Sequence, residues 1–202
     1  MGGYPFVLYV AGSEDFPEVA GLVREAADWL WRKGTDQWQK PWPDEAAHQR
    51  RIKDDLLKDK TRLLRDGESI VATITIDTDV PMAKDHPVWP SGKNSKPAVY
   101  VRRIVVSRRY AGRGLGAALL DWAAETAETE YRAELMRIDV WTTNETLHAY
   151  YEGQHFVRCQ DPQGLGDYPS QALFERPVQV RGSSFLNLFI TEDGQGARKS
   201  PC

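Results

Sequence analysis

The chain reads as a single α/β domain with a mixed order of strands and helices. Three observations predict it. Apolar residues recur at helical spacing in separate stretches, as in Phe16, Val19, Ala20, Val23, Ala26, Ala27 and Leu30. Short β-branched runs, such as Val99 to Val106, lie between them. The two kinds of segment interleave as β-α-α-β-β-β-α-β-α-β-β, without an internal repeat. At 202 residues the chain can bury roughly 70% of its extended surface, enough for a core without cross-links.

In order, residues 6–11 form a short apolar run, expected as a strand. Ser13 and Asp15 offer caps for the first helix, which Gly34 ends. Residues 34–44 form a loop rich in tryptophan and proline, and Asp44 can cap a second helix reaching about Lys60. Asp66-Gly67 is a turn signal between 62–65 and 68–77, which predicts a hairpin. Residues 79–97 carry four prolines and read as a long loop, a lid or a wall of a site. A strand over 98–106 precedes a glycine-rich turn and a helix with the face Leu115, Ala118, Leu119, Trp122, Ala123 and Thr126. Strands are expected at 136–141, 156–159 and 172–180, with a helix opened by Asn144 and running through Glu152. Beyond residue 180 stands one apolar stretch, 185–190, expected to add an edge strand or a dimer contact, then a flexible polar tail.

Composition excludes several classes. With 26 basic against 29 acidic residues, the net charge is −3, so there is no global cationic field for nucleic acid or an anionic membrane. No apolar run approaches ~18 residues, so no membrane helix is expected. The two cysteines, Cys159 and Cys202, make neither a disulfide framework nor a zinc cluster and suit a reducing compartment. The opening residues lack the basic start and apolar run of an export signal; a cytoplasmic location is the expectation.

The stretch from Val105 to Leu120 joins a strand to a helix through Gly112, Gly114 and Gly116. Such a turn leaves backbone N–H groups converging at a helix N-terminus, a site for a phosphate or pyrophosphate. The Gly-Lys-Ser/Thr ending of a Walker loop is absent. A dinucleotide fingerprint fails too, since Leu119 sits where its last small residue belongs and no acidic residue closes the next strand.

Here the sequence resembles the GNAT superfamily of N-acetyltransferases. Its acetyl-CoA motif, Gln/Arg-x-x-Gly-x-Gly/Ala after a strand, corresponds to Ala111-Gly112-Arg113-Gly114-Leu115-Gly116, with Ala111 in place of the first residue. Its second motif is a strand, an Asn, a Tyr seven residues on, then Gly-Phe. The chain has 139–143, Asn144, Tyr151 and His155-Phe156, with His155 in place of the glycine. The resemblance covers roughly residues 4–180 and implies one acetyltransferase-like domain there, followed by an extension over 181–202. The implied fold is a central mixed, mostly antiparallel, splayed sheet flanked by about four helices.

The resemblance also implies roles. Ile104, Val105 and Val106 would offer main-chain hydrogen bonds to the pantetheine arm, with an N–H near Val106 polarising the thioester. Gly112, Arg113, Gly114, Leu115, Gly116 and Ala117 would cradle the pyrophosphate, and Asn144 would contact the cofactor arm. Acetyl-CoA would be the co-substrate, with no metal. Tyr151 would be the general acid; an ordinary phenol, with a pKa near ~10, is protonated at neutral pH. The general base is Asp139 or a water relay. Trp38 and Trp42 would stack on the acceptor and Asp36 would hold its ammonium. Arginines 102, 103, 108, 109 and 113 form a local cluster, expected to serve the CoA phosphates in part. The implied reaction is acetyl transfer to a primary amine of a small molecule, through a ternary complex. The other acceptors open at this stage are a protein or aminoacyl-tRNA, and a CoA-binding module without turnover is the non-enzyme alternative. A homodimer is the partner state that relatives imply.

Overall fold

In the computed structural model, residues 6–83, 86–89, 96–159 and 164–179 are described, together with the backbone of 189–192. The strands are β1 (Phe6–Val10), β2 (Thr61–Asp66), β3 (Ser69–Asp77), β4 (Met82–Ala83), β5 (His86–Pro87), β6 (Ala98–Val106), β7 (Leu135–Val140), β8 (Val157–Arg158), β9 (Ala172–Pro177) and β10 (Phe189–Glu192). The α-helices are α1 (Phe16–Arg32), α2 (Glu45–Leu57), α3 (Leu115–Thr129) and α4 (Glu145–Gly153). Eight strands form one sheet in the order β10-β1-β2-β3-β6-β7-β9-β8. The junctions β10–β1 and β6–β7 are parallel and the others antiparallel.

Each helix follows from its sequence. In α1, Val19, Leu22 and Val23 are buried at helical spacing. Asp44 caps α2, its Oδ1 accepting from Ala47 N at 2.7 Å. Asn144 caps α4 in the same way, accepting from Leu147 N at 3.0 Å. The apolar face of α3 is buried as its spacing predicts, joined by Leu120, Ala124 and Ala127. That face packs with Val71, Ile74, Ile76, Val99 and Val101 on one side of the sheet. Helices α1 and α2 pack with Leu63 and Val105 on the other. With both faces covered, β3 is buried from Val71 to Asp77.

Several boundaries differ from expectation. Helix α2 stops at Leu57, because Asp59 takes a positive φ of 54°. The strand expected at 156–159 is two residues long, and that at 172–180 ends at Pro177, which has no N–H for a ladder. Within 79–97 a small antiparallel pair, β4 and β5, precedes Trp89, which is 2% exposed. Trp89 packs in a core with Tyr100 and Leu173, so this part of the expected loop is anchored to the sheet. Of the expected apolar stretch 185–190, residues 189 and 190 fall in β10 beside β1; 185–188, the tail after 192 and Cys202 lie outside the described residues. No described helix is long and apolar enough to cross a membrane.

Candidate active site

The site begins where β6 and β7 part. Their parallel pairing covers only Ala98 to Tyr100 against Leu135 to Arg137. Beyond it, Ile138 to Val140 pair with β9 alone. On the far edge of β6 the register against β3 slips between Thr75↔Arg102 and Thr73↔Val105. Arg103 takes a φ of 49° at this bulge. Arg103 and Ile104 therefore have no ladder partner on either side, which opens backbone groups toward the gap. The bulge sits at 103–104, ahead of Val106, where sequence reasoning put the polarising N–H.

A cleft of about 490 Å³ runs into this gap. One wall is Val101 to Ile104 of β6 with Ile138 to Val140 of β7 and Tyr151 of α4. The facing wall is α1, the loop Gln37 to Trp42 and α2. Tyr168 and Pro169 line its edge. The cleft thus brings together Tyr151, Asp139, Trp38, Trp42 and Ile104.

Asp139 is half-buried and accepts a short hydrogen bond from Tyr168 Oη. Burial pushes its carboxyl above the ordinary range; the Tyr168 hydrogen bond and the charges of Arg102 and Arg103 oppose that rise. A carboxyl raised in this way accepts a proton more readily near neutral pH. Tyr151 is 7% exposed, with its ring edge-on to Tyr150 and Phe156. Burial, with Tyr150 and Asp139 nearby, lifts its phenol well above the ordinary range, so the hydroxyl keeps its proton. Among the described residues the Tyr151 hydroxyl has no hydrogen-bond partner.

Other expected residues stand elsewhere. Asp36 does not line the cleft. Its Oδ1 accepts from Trp141 Nε1 at 2.9 Å and Thr143 Oγ1 at 2.7 Å, and these hydrogen bonds lower its pKa. It ties the loop after α1 to the segment after β7, so it is not placed to hold an ammonium in the cleft as expected. Asn144 is also occupied: Oδ1 caps α4, and Nδ2 donates to Gln37 Oε1 at 2.6 Å. Val105 is buried against the α1 side, and Val105 and Val106 are both paired with β3.

The glycine turn lies at the end of β6. Gly112 and Gly114 take φ of 79° and 76°, values that side chains rarely adopt. Gly114 caps α3 without a side chain, and the first turn holds no acidic residue. Leu115 is 1% exposed, so it would offer a ligand only its backbone. A Cβ at Gly116 would lie 2.7 Å from Tyr150 Oη, which places the Tyr150 ring against the turn. Arg113 lies over the Tyr110 ring at 4.6 Å and Arg108 over Trp29 at 3.9 Å.

Arg102 and Arg103 do not join these arginines. Arg102 Nη2 reaches Asp55 at 3.0 Å and Asp77 at 2.6 Å, and Arg103 pairs with Asp55. Burial still draws the Arg103 pKa down to about 10. Both line the cleft beside α2, so of the five clustered arginines these two stand apart from the glycine turn. His148, one turn before Tyr151, is buried and bonds the Trp141 carbonyl through Nε2 at 2.9 Å. Sequence reasoning missed Tyr168, Arg51 and His48. Tyr168 reaches Asp139 across 29 residues, and no local pattern marks such a pair. Among the described residues no group of three His, Cys, Asp or Glu side chains is placed to hold a metal.

Residues 23–156 match the acetyltransferase (GNAT) family. The chain is 29% identical over 167 residues to the uncharacterized N-acetyltransferase YesJ of Bacillus subtilis (strain 168), covering 82% of this chain and 86% of that protein. Its fold is similar to a GNAT family acetyltransferase from Streptococcus agalactiae 2603, with a TM-score of 0.65, 17% identity, and coverage of 88% of this chain and 99% of that one. It is also similar to the PaiA N-acetyltransferase from Thermoplasma acidophilum in complex with coenzyme A, with a TM-score of 0.62, 13% identity, and coverage of 86% and 99%.

Proposed function

We propose that this chain, which belongs to the acetyltransferase (GNAT) family, acetylates the primary amine of a small molecule from acetyl-CoA, within a ternary complex. The observation that carries the reading is one cleft that holds a buried phenol and a proton-accepting carboxyl where β6 and β7 part. Its volume of about 490 Å³ suits a small acceptor better than a folded one.

The residues present fit the cofactor. A glycine-capped, acid-free N-terminus on α3 presents backbone N–H groups to a pyrophosphate, with Arg113 beside it. Acetyl-CoA supplies the acetyl group as a thioester when bound. The bulge at Arg103 and Ile104 offers backbone N–H groups in the gap to polarise a carbonyl. Asp139 takes a proton from the ammonium of the acceptor, directly or through water. Tyr151 holds the proton that the departing sulfur needs. Trp38 and Trp42 shape the acceptor end. The complex of the similarly folded PaiA N-acetyltransferase with coenzyme A lends weight to the cofactor assignment.

Calorimetric titration with acetyl-CoA tests the cofactor; stoichiometric binding is expected, and no binding at millimolar concentrations would overturn the reading. Tyr151→Phe tests the acid. Turnover, read by free-thiol release, should fall by about 10²- to 10⁴-fold with acetyl-CoA affinity retained. Unchanged turnover removes Tyr151 from the reaction.

A further inference from the structure

The cleft is lined by more cations than anions: Arg24, Lys40, Arg51, Arg102 and Arg103 against Asp28, Glu45 and Asp139. Arg102 and Arg103 are answered by Asp55 and Asp77. Arg51 is not. It is half-buried on α2, donates through Nη2 to the Trp42 carbonyl and lies over the Trp42 ring at 5.9 Å. It forms no ion pair among the described residues; Asp44 and Asp55 attract it only at longer range. A guanidinium drawn partly out of water normally gains a carboxylate partner, because desolvation of an unpaired charge is unfavourable. Burial accordingly lowers the Arg51 pKa. Its planar fork has five N–H donors, most still available for a second, two-pronged contact.

The neighbours reinforce the sign. His48, one turn earlier on α2, is held toward its neutral form by burial and by Arg103 and Arg51. It adds a neutral hydrogen-bonding group to this wall, with Glu45 the carboxylate that faces it. A polyamine reaching this part of the wall would meet the unpaired charge of Arg51. An acceptor whose own anion offsets its ammonium would not.

We propose that the acceptor carries an oxyanion group besides its amine, a carboxylate or a phosphate, and that Arg51 binds it. The assignment rests on the acetyltransferase reading for the identity of the cleft. It makes the substrate class an amino acid or a phosphorylated amine.

Two matched pairs test it: phenylalanine against phenylalaninamide, and O-phosphoethanolamine against ethanolamine. Each is titrated calorimetrically into the full chain with CoA present, and each is assayed with acetyl-CoA by thiol release. Binding, and kcat/KM where turnover occurs, should favour one anionic member by about 10- to 100-fold over its counterpart. The favoured pair distinguishes carboxylate from phosphate. Arg51→Gln should collapse that ratio, while Arg51→Lys should keep part of it, and thermal melts of both variants separate this from misfolding. Equal or better use of the counterparts overturns the proposal, as does a preference that survives in Arg51→Gln or absence of binding by both anionic members. Thiol release with no anionic preference leaves the acetyltransferase reading intact and removes this one. Arg51-dependent binding of an anionic amine without any thiol release does the reverse.

Discussion

The phenol of Tyr168 donates a hydrogen bond to the carboxyl of Asp139, and that bond restrains the rise in pKa that burial imposes on Asp139. Burial raises the carboxyl; Tyr168 opposes the rise by donating to the charged form. The Tyr168 phenol is itself pushed well up by burial and by Asp139, so it remains a donor through the neutral range. Tyr168→Phe removes the donor and leaves the ring against Trp42. The Asp139 pKa then rises further. With Asp139 as the base, the acidic limb of the kcat/KM profile moves to higher pH. Activity falls below that limb and recovers above it. A purely structural role for Tyr168 predicts a uniform loss at all pH values, so the profile separates the two.

At the scale of elements, two features of the C-terminal end of α4 carry predictions. The first is the C-terminus of α4, where His155 takes a φ of 65°. His155 N reaches Glu152 O at 2.9 Å and Phe156 N reaches Tyr151 O at 3.0 Å, the hydrogen-bond pair of a left-handed helix stop. Glycine adopts that conformation without a Cβ penalty. His155→Gly should therefore raise stability by about 1 kcal/mol, which a thermal melt reads as an increase of roughly 3 °C. The second is Tyr150 against the glycine turn. Gly116→Ala puts a Cβ at 2.7 Å from Tyr150 Oη, and should weaken acetyl-CoA binding by about tenfold in calorimetry. Tyr150→Phe in the same chain removes the clashing oxygen and should restore most of that affinity. An additive double variant would show that the clash is not the cause.

These elements also mark what a sequence conveys. The faces of α1 and α3, the caps Asp44 and Asn144, and the hairpin at Asp66-Gly67 were legible because each depends on neighbours a few residues away. Asn144, Tyr151 and the glycine turn were legible as a spaced pattern. The position of His155 was read, but its φ was not. The pairing of β10 beside β1, the Tyr168–Asp139 hydrogen bond and the Asp55 ion pairs were not legible, since each joins residues far apart in the chain. Asp36 shows the limit most plainly: an acid in an aromatic loop suits an ammonium by type, yet two donors from beyond β7 claim its oxygen.

At the scale of the whole molecule, the cleft wall of α1, the loop after it and α2 is a separate layer that polar ties attach to the sheet. Asp36 and Gln37 fasten the loop after α1 to Trp141, Thr143 and Asn144. Asp55, 6% exposed, fastens α2 to the bulge in β6 through Arg102 and Arg103. Arg102 continues to Asp77 on β3, and Lys60 reaches Asp77 at 2.6 Å. One cluster thus fixes the bulge, the width of the gap and the distance between the two walls of the cleft. Removing its central carboxylate leaves Arg103 uncompensated in a largely buried place and Arg102 held by Asp77 alone. Asp55→Ala should cost about 3–5 kcal/mol, a fall of roughly 10 °C in Tm for a domain of this size. Because the cluster is shielded from solvent, added salt should change that loss little. Activity should fall further than folding accounts for, measured at a temperature where the variant remains folded, since the cleft loses its spacing. A loss below about 1 kcal/mol, or one erased by salt, would mean the pairs behave as exposed ones and do not set the cleft.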